Sequence, residues 1–212
     1  MAKKLKLGVL LSGGGTTLLN LLERQKAGKL AGEVVCVASD RPGVLGLERP
    51  RQAGFPGLPT RVAEPPKEMT QRAAWGADLL GWCGSHNADV VLMCGFLRLL
   101  PLPNEWVGRV LNIHPSLLPA FGGKGFHGEK VHQAALDAGV KLSGCTVHFA
   151  DQVYDRGPIL VQKAVLVRDD DTSITLAARV FEAECEAYPE AIALLAAGRV
   201  RLEGGRARIT PA

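Results

Sequence analysis

The sequence predicts an α/β fold: a doubly wound, mainly parallel sheet with an antiparallel C-terminal portion. Compact apolar runs alternate with segments of helical periodicity along most of the chain. One run, residues 89–94 (DVVLMC), is apolar without interruption, as expected for a strand covered on both faces. Residues 143–149 and 159–167 are both strand-like, yet only about nine residues part them, where a parallel crossover needs roughly a dozen or more. They are therefore expected to pair antiparallel.

The elements follow in order. Residues 5–11 form a first strand, ending at Ser12-Gly13-Gly14-Gly15-Thr16-Thr17. Leu18, Leu19, Leu21 and Leu22 then recur at helical spacing as far as Gly28. Residues 33–39 (EVVCVAS) are β-branched and predict a second strand. A helix over 45–53 should follow, shortened by Pro50. Residues 60–63 predict a third strand and 67–86 a helix loosened by Gly76, Gly81 and Gly84. The fourth strand is 89–94, the fifth 109–114, and 128–138 is helical. After the antiparallel pair, 172–197 predicts a long helix with Thr172 or Ser173 as N-cap. Residues 200–209, with Gly204-Gly205 in the middle, predict a terminal hairpin.

A chain of 212 residues, 47% apolar, fits one globular domain spanning 1–212, and 22% charged residues argue against disorder. The net charge of +4 is scattered, without a basic stripe, so no nucleic-acid partner is expected. The apolar run at 7–11 is too short for a membrane span or a signal-peptide core, so no membrane partner is expected. Five cysteines without a CxxC motif predict reduced thiols in a cytoplasmic protein. His127 and His132 would lie about 140° apart on a helix, which predicts no metal site.

The glycine turn stands directly after the first strand and opens a helix. Unpaired amides at a helix N-terminus favour an anion, and glycines let a phosphate come close. Leu18 breaks a GxGxxG pattern and no lysine completes a P-loop. A single phosphate is therefore expected rather than a dinucleotide, with a purely structural turn as the alternative.

Asn112 and His114 are two apart in a strand and project from the same face. Pro115 ends the strand there, at the carboxyl edge where open α/β sheets bind ligands. An amide donor beside an imidazole suits acyl-type transfer, because both can stabilise an oxyanion. A capped strand end with a hydrogen-bonded histidine is the structural alternative. Asp155, in the 152–157 connection, would raise the pKa of His114 and orient it if the two met. Otherwise it is a turn aspartate. His148 stands alone in a strand and is read as a hydrogen-bonded core residue.

The segments LLSGGGTTL, CGFLRLL, VLNIHPSLLPAF, SGCTVHFADQVYDRGPI and ECEAYP occur in the order of the phosphoribosylglycinamide formyltransferases, which the chain resembles over nearly its whole length. The resemblance implies the formyltransferase fold and transfer of a formyl group from 10-formyltetrahydrofolate, a co-substrate, to the amine of glycinamide ribonucleotide in purine synthesis, without a metal. It implies a catalytic trio of Asn112, His114 and Asp155. Gly14, Gly15, Thr16, Thr17 and Glu184 would hold the acceptor. Arg72, Leu97, Arg98, Leu99, Leu100, Ala150, Asp151, Gln152, Val153 and Tyr154 would serve the folate. A monomer or weak homodimer is expected, with small molecules as partners.

The chain departs from the family pattern at several places. Gly15-Thr16-Thr17 stands for a common Gly-Ser-Asn, Pro50 interrupts a family helix, and the 122–130 segment is longer and richer in glycine. Tyr154 replaces an aliphatic residue beside Asp155. A formyltetrahydrofolate hydrolase would carry an extra N-terminal domain, for which the first strand at Leu5 leaves no room. A methionyl-tRNA formyltransferase would carry a C-terminal RNA-binding domain in place of the short hairpin. A non-enzymatic nucleotide-binding module would not need the ordered Asn, His and Asp.

Overall fold

Seven of the strand-forming runs assemble into one sheet in the computed structural model, which describes residues 4–211. They are β1 (Leu5–Leu11), β2 (Gly32–Ser39), β3 (Thr60–Val62), β4 (Val90–Met93), β5 (Val110–His114), β6 (Leu142–Phe149) and β7 (Ile159–Leu166). The spatial order is β3-β2-β1-β4-β5-β6-β7. From β3 to β5 all neighbours are parallel. β6 runs antiparallel to both β5 and β7, so the direction reverses one strand earlier than the 143–149/159–167 pair alone indicated. A separate hairpin pairs β8 (Val200–Glu203) with β9 (Arg206–Ile209).

The helices are α1 (Thr16–Lys26), α2 (Arg49–Gln52), α3 (Arg72–Ser85), α4 (Glu129–Asp137) and α5 (Ser173–Ala196). Two are shorter than the sequence predicts. The 45–53 segment becomes a 3-10 turn, Leu45–Leu47, followed by the short α2 with Pro50 in its first turn. A proline is tolerated there because its missing N–H would have no helical partner. The 67–86 segment begins as a 3-10 turn, Met69–Gln71, because Glu68 is still extended, and α3 starts only at Arg72.

Period-two alternation in the strands sorts the core into two layers. Leu7, Val9 and Leu11 of β1 pack with Leu18, Leu21 and Leu22 of α1 and Val180, Tyr188 and Ile192 of α5. Leu10 points the other way, toward Trp75, Leu79 and Leu80 of α3. Each fully buried leucine contributes roughly 1.5–3 kcal/mol. α5 starts at a reciprocal cap in which the Thr172 and Thr175 side chains each accept the other's backbone amide. Its Tyr188 is completely buried, and the hydroxyl donates between the Met93 and Leu111 carbonyls, 3.1 Å from each. That contact ties α5 to the last residue of β4 and to β5. Among the described residues, no helix is long and apolar enough to cross a membrane, and the five cysteines are free.

Candidate active site

β5 ends at His114, and a cavity of about 750 Å³ opens there. Its walls come from both layers. α1, α4 and α5 contribute Thr17, His132, Phe181 and Glu184, while the segments after β4 and β6 contribute residues 95–100 and Ala150, Asp151, Val153 and Tyr154. Asn112, His114 and Asp155 lie between them. The volume is in the range of small-ligand sites.

Asn112 and His114 share a face of β5, as their spacing requires, and the structure brings Asp155 to both. Asp155 Oδ2 lies 3.5 Å from His114 Nδ1, and its Oδ1 accepts from Asn112 Nδ2 at 3.3 Å. Two features hold the carboxylate in place. The Gly123 amide donates to Oδ2 at 2.8 Å. Asp155 itself is left-handed, with φ of 56°, and the chain then passes so close to β6 that a Cβ on Gly157 would collide with the Phe149 carbonyl oxygen. Only glycine fits at that return.

His148 joins this group, which residue spacing did not reveal. It is the cross-strand partner of Asn112 in the β5–β6 ladder. Its Nδ1 faces the Phe149 carbonyl oxygen at 2.9 Å and donates to it. Nε2 is then an acceptor, and Asn112 Nδ2 donates to it at 3.1 Å. Both amide hydrogens of Asn112 are therefore engaged, one by His148 and one by Asp155.

The charge of His114 departs from expectation. Burial pushes its pKa below the usual imidazole value, and this outweighs the opposing pull of Asp155 and of the Phe121 carbonyl. His114 therefore rests neutral at pH 7, with Nε2 donating to the Phe121 carbonyl at 2.9 Å. Burial also opposes ionisation of Asp155, but the carboxyl stays below the usual range, helped by the Gly123 amide that donates to Oδ2. Glu184 has no such help, and burial alone pushes it up to about 7.

The remaining predicted residues divide. Leu97, Arg98, Leu99 and Leu100 line the cavity. The Arg98 guanidinium is turned to Asp40, with Nε donating at 2.9 Å. The Leu99 amide donates to the Tyr154 hydroxyl at 2.8 Å, which fastens the 150–154 loop to this segment. Gln152 points away and donates to the Leu102 carbonyl. Thr17 lines the cavity, whereas Gly14, Gly15 and Thr16 stand just outside its lining. Gly15 caps α1 with φ of 67°, where a Cβ would meet Gly46 at 2.7 Å. Arg49, unremarked in the sequence, donates to the Gly14 carbonyl and sets a cation beside the turn. Arg72 does not line the cavity, and its Nε is buried without a partner.

The formyl transferase sequence pattern matches residues 5–192, a span that holds every member of this constellation. The chain belongs to the formyl transferase family. It is 41% identical over 92% of its length to the trifunctional purine biosynthetic protein adenosine-3 of Drosophila melanogaster. It spans only 14% of that protein, and 20% of the corresponding Bos taurus and Gallus gallus proteins. Its fold superposes on glycinamide ribonucleotide transformylase 1 from Symbiobacterium toebii with a TM-score of 0.86 at 40% identity, covering 98% of this chain and 94% of that one. A formyltetrahydrofolate deformylase from Pseudomonas syringae pv. tomato superposes with a TM-score of 0.82 at 25% identity, covering 99% of this chain and 67% of that one.

In this formyl transferase one cavity is walled by α1, α4 and α5 and by the segments after β4 and β6. The arrangement offers an amide donor, a neutral imidazole and an ionised carboxylate at their junction. That set can stabilise an oxyanion and move a proton, the two tasks of acyl-type transfer to an amine.

Proposed function

We propose that this formyl transferase moves the formyl group of 10-formyltetrahydrofolate onto the amine of glycinamide ribonucleotide in purine synthesis. One observation carries the reading: a single cavity joins Asn112, His114 and Asp155 with Thr17 and Glu184 on one wall and residues 97–100, Ala150, Asp151, Val153 and Tyr154 on the other. The folate lies against the second wall, held in part by backbone groups. The ribonucleotide lies against the first, its phosphate at the amides of Gly14–Thr17 and its ribose at Glu184. Gln152 acts at the periphery, by fastening its loop to the Leu102 carbonyl.

The acceptor's amine attacks the formyl carbon, and the carbonyl oxygen becomes an oxyanion. The Asn112 amide exchanges its long bond to Asp155 for this oxygen and keeps its bond to His148. His114 starts neutral, takes the proton released by the amine on Nδ1, beside Asp155, and passes it to the departing folate nitrogen. The carbon–nitrogen bond to the folate then breaks. Asp155 stabilises the transient imidazolium. Fixing the amine beside the formyl carbon supplies the entropic advantage over water.

A hydrolase would use the same trio, so folate binding does not separate the two. The test follows release of tetrahydrofolate with and without glycinamide ribonucleotide. Slow release alone and fast release with the ribonucleotide, with the formyl group recovered on its amine, is the expected result. Equal rates yielding formate would make the protein a hydrolase.

A further inference from the structure

His132 is a buried residue that the steps above do not use. It lies on α4, is 5% exposed and lines the cavity. Its Nδ1 is sealed from solvent and has no hydrogen-bond partner. Buried polar atoms are nearly always satisfied, so an orphan nitrogen on a ring that lines the cavity calls for an explanation.

The orphan also fixes the tautomer. An N–H on the sealed Nδ1 would have nothing to donate to, and a charged ring would have to carry one there. Burial and the neighbouring His114 both push the pKa of His132 down, so the ring is neutral. Its one proton then sits on Nε2, the nitrogen left to meet a ligand.

We propose that His132 binds the acceptor substrate, its Nε2–H donating a hydrogen bond to the amide carbonyl next to the reacting amine. The inference rests on the acceptor reading given above. His132 belongs to the wall that carries Thr17 and Glu184, while residues 97–100, Ala150, Asp151, Val153 and Tyr154 form the other. The Ser173 hydroxyl, donating to Glu129 at 2.6 Å, binds α4 to the start of α5, the helix that carries Glu184. It thus stands on the acceptor wall of the cavity that also holds Asn112, His114 and Asp155. In a ribonucleotide bearing glycinamide, the group next to the amine is the amide carbonyl, an acceptor matched to a neutral N–H donor.

Two variants separate donation from packing. His132→Leu fills similar space without a donor, and His132→Gln returns an N–H near the Nε2 position. Steady-state kinetics with both substrates and thermal unfolding are measured on the full chain. In the Leu variant the KM for glycinamide ribonucleotide should rise about tenfold, the scale of one hydrogen bond. Its kcat and its KM for the folate should stay within about threefold, because the bond is equal in ground and transition states. Its melting temperature should be unchanged or higher, since the orphan nitrogen is gone. The Gln variant should recover most of the acceptor affinity.

A Leu variant with wild-type acceptor KM overturns the proposal, and so does a loss confined to kcat at saturating acceptor. A Gln variant no better than Leu, with both folded, does the same. A wild-type protein without ribonucleotide-dependent turnover overturns the acceptor reading itself and this proposal with it. Active wild type with an unaffected Leu variant overturns the proposal alone.

Discussion

Asn112 and His148 face each other across the β5–β6 ladder and are joined side chain to side chain, amide Nδ2 to imidazole Nε2, at 3.1 Å. The histidine takes one amide hydrogen, and the other is left to Asp155 Oδ1, 3.3 Å away.

Replacing Asn112 by Ala should lower kcat by about 10²–10³-fold, the loss typical of one oxyanion donor. The KM for the folate should change much less, because the donor acts mainly in the transition state. Steady-state kinetics decide the matter, and near-normal turnover would remove Asn112 from the chemistry.

Replacing His148 by Ala should free the Asn112 amide to rotate and lower kcat about tenfold, the cost of one hydrogen bond of positioning. His148→Gln can accept from the amide with its side-chain oxygen and should recover part of that loss. An Ala variant that melts earlier but turns over normally would reduce His148 to a core residue.

Glu184 sets a pH dependence. Its folded pKa, about 7, lies above the usual carboxylate value of 4.5. The fold thus favours the protonated form, and that stabilisation, full below the unfolded pKa, is lost as pH rises through about 7. Glu184→Gln should therefore stabilise the protein at pH 8 by about 3 kcal/mol, and by less than 1 kcal/mol or so at pH 5. Denaturant melts at the two pH values measure this, and an equal effect at both would refute it. The same substitution should raise the KM for the ribonucleotide most above pH 7, where the wild-type carboxylate is charged.

Activity should survive exhaustive treatment with EDTA, because every step assigned above uses an amide, an imidazole or a carboxylate. Loss on chelation, with recovery on adding zinc or magnesium, would contradict the mechanism.

Much of this was legible in the sequence because it depends on near neighbours. The spacing of Asn112 and His114 put them on one face, and Pro115 put them at the strand end. Thr172 and Ser173 marked the start of α5, and the structure makes Thr172 the cap. Pro50 marked a break, though its full effect, a 3-10 turn and a single short helical turn, follows from local geometry that composition does not describe. The place of His148 was hidden, since a lone histidine in a strand carries no signal until the register of that strand against β5 is known.

By itself, the sequence determined the alternation of strands and helices, the antiparallel pairing of β6 with β7, and the family through its ordered motifs. Local periodicity and connection length are enough for these. The tertiary structure alone decided that Asp155 meets His114, that His148 holds Asn112, and that His132 stands orphaned at the cavity. Each depends on strand register and on loops returning across the sheet. It also decided the charge of His114. The sequence named the carboxylate that would raise its pKa, but not the burial that outweighs it. Desolvation is a property of everything packed around a group, which no single stretch of chain specifies.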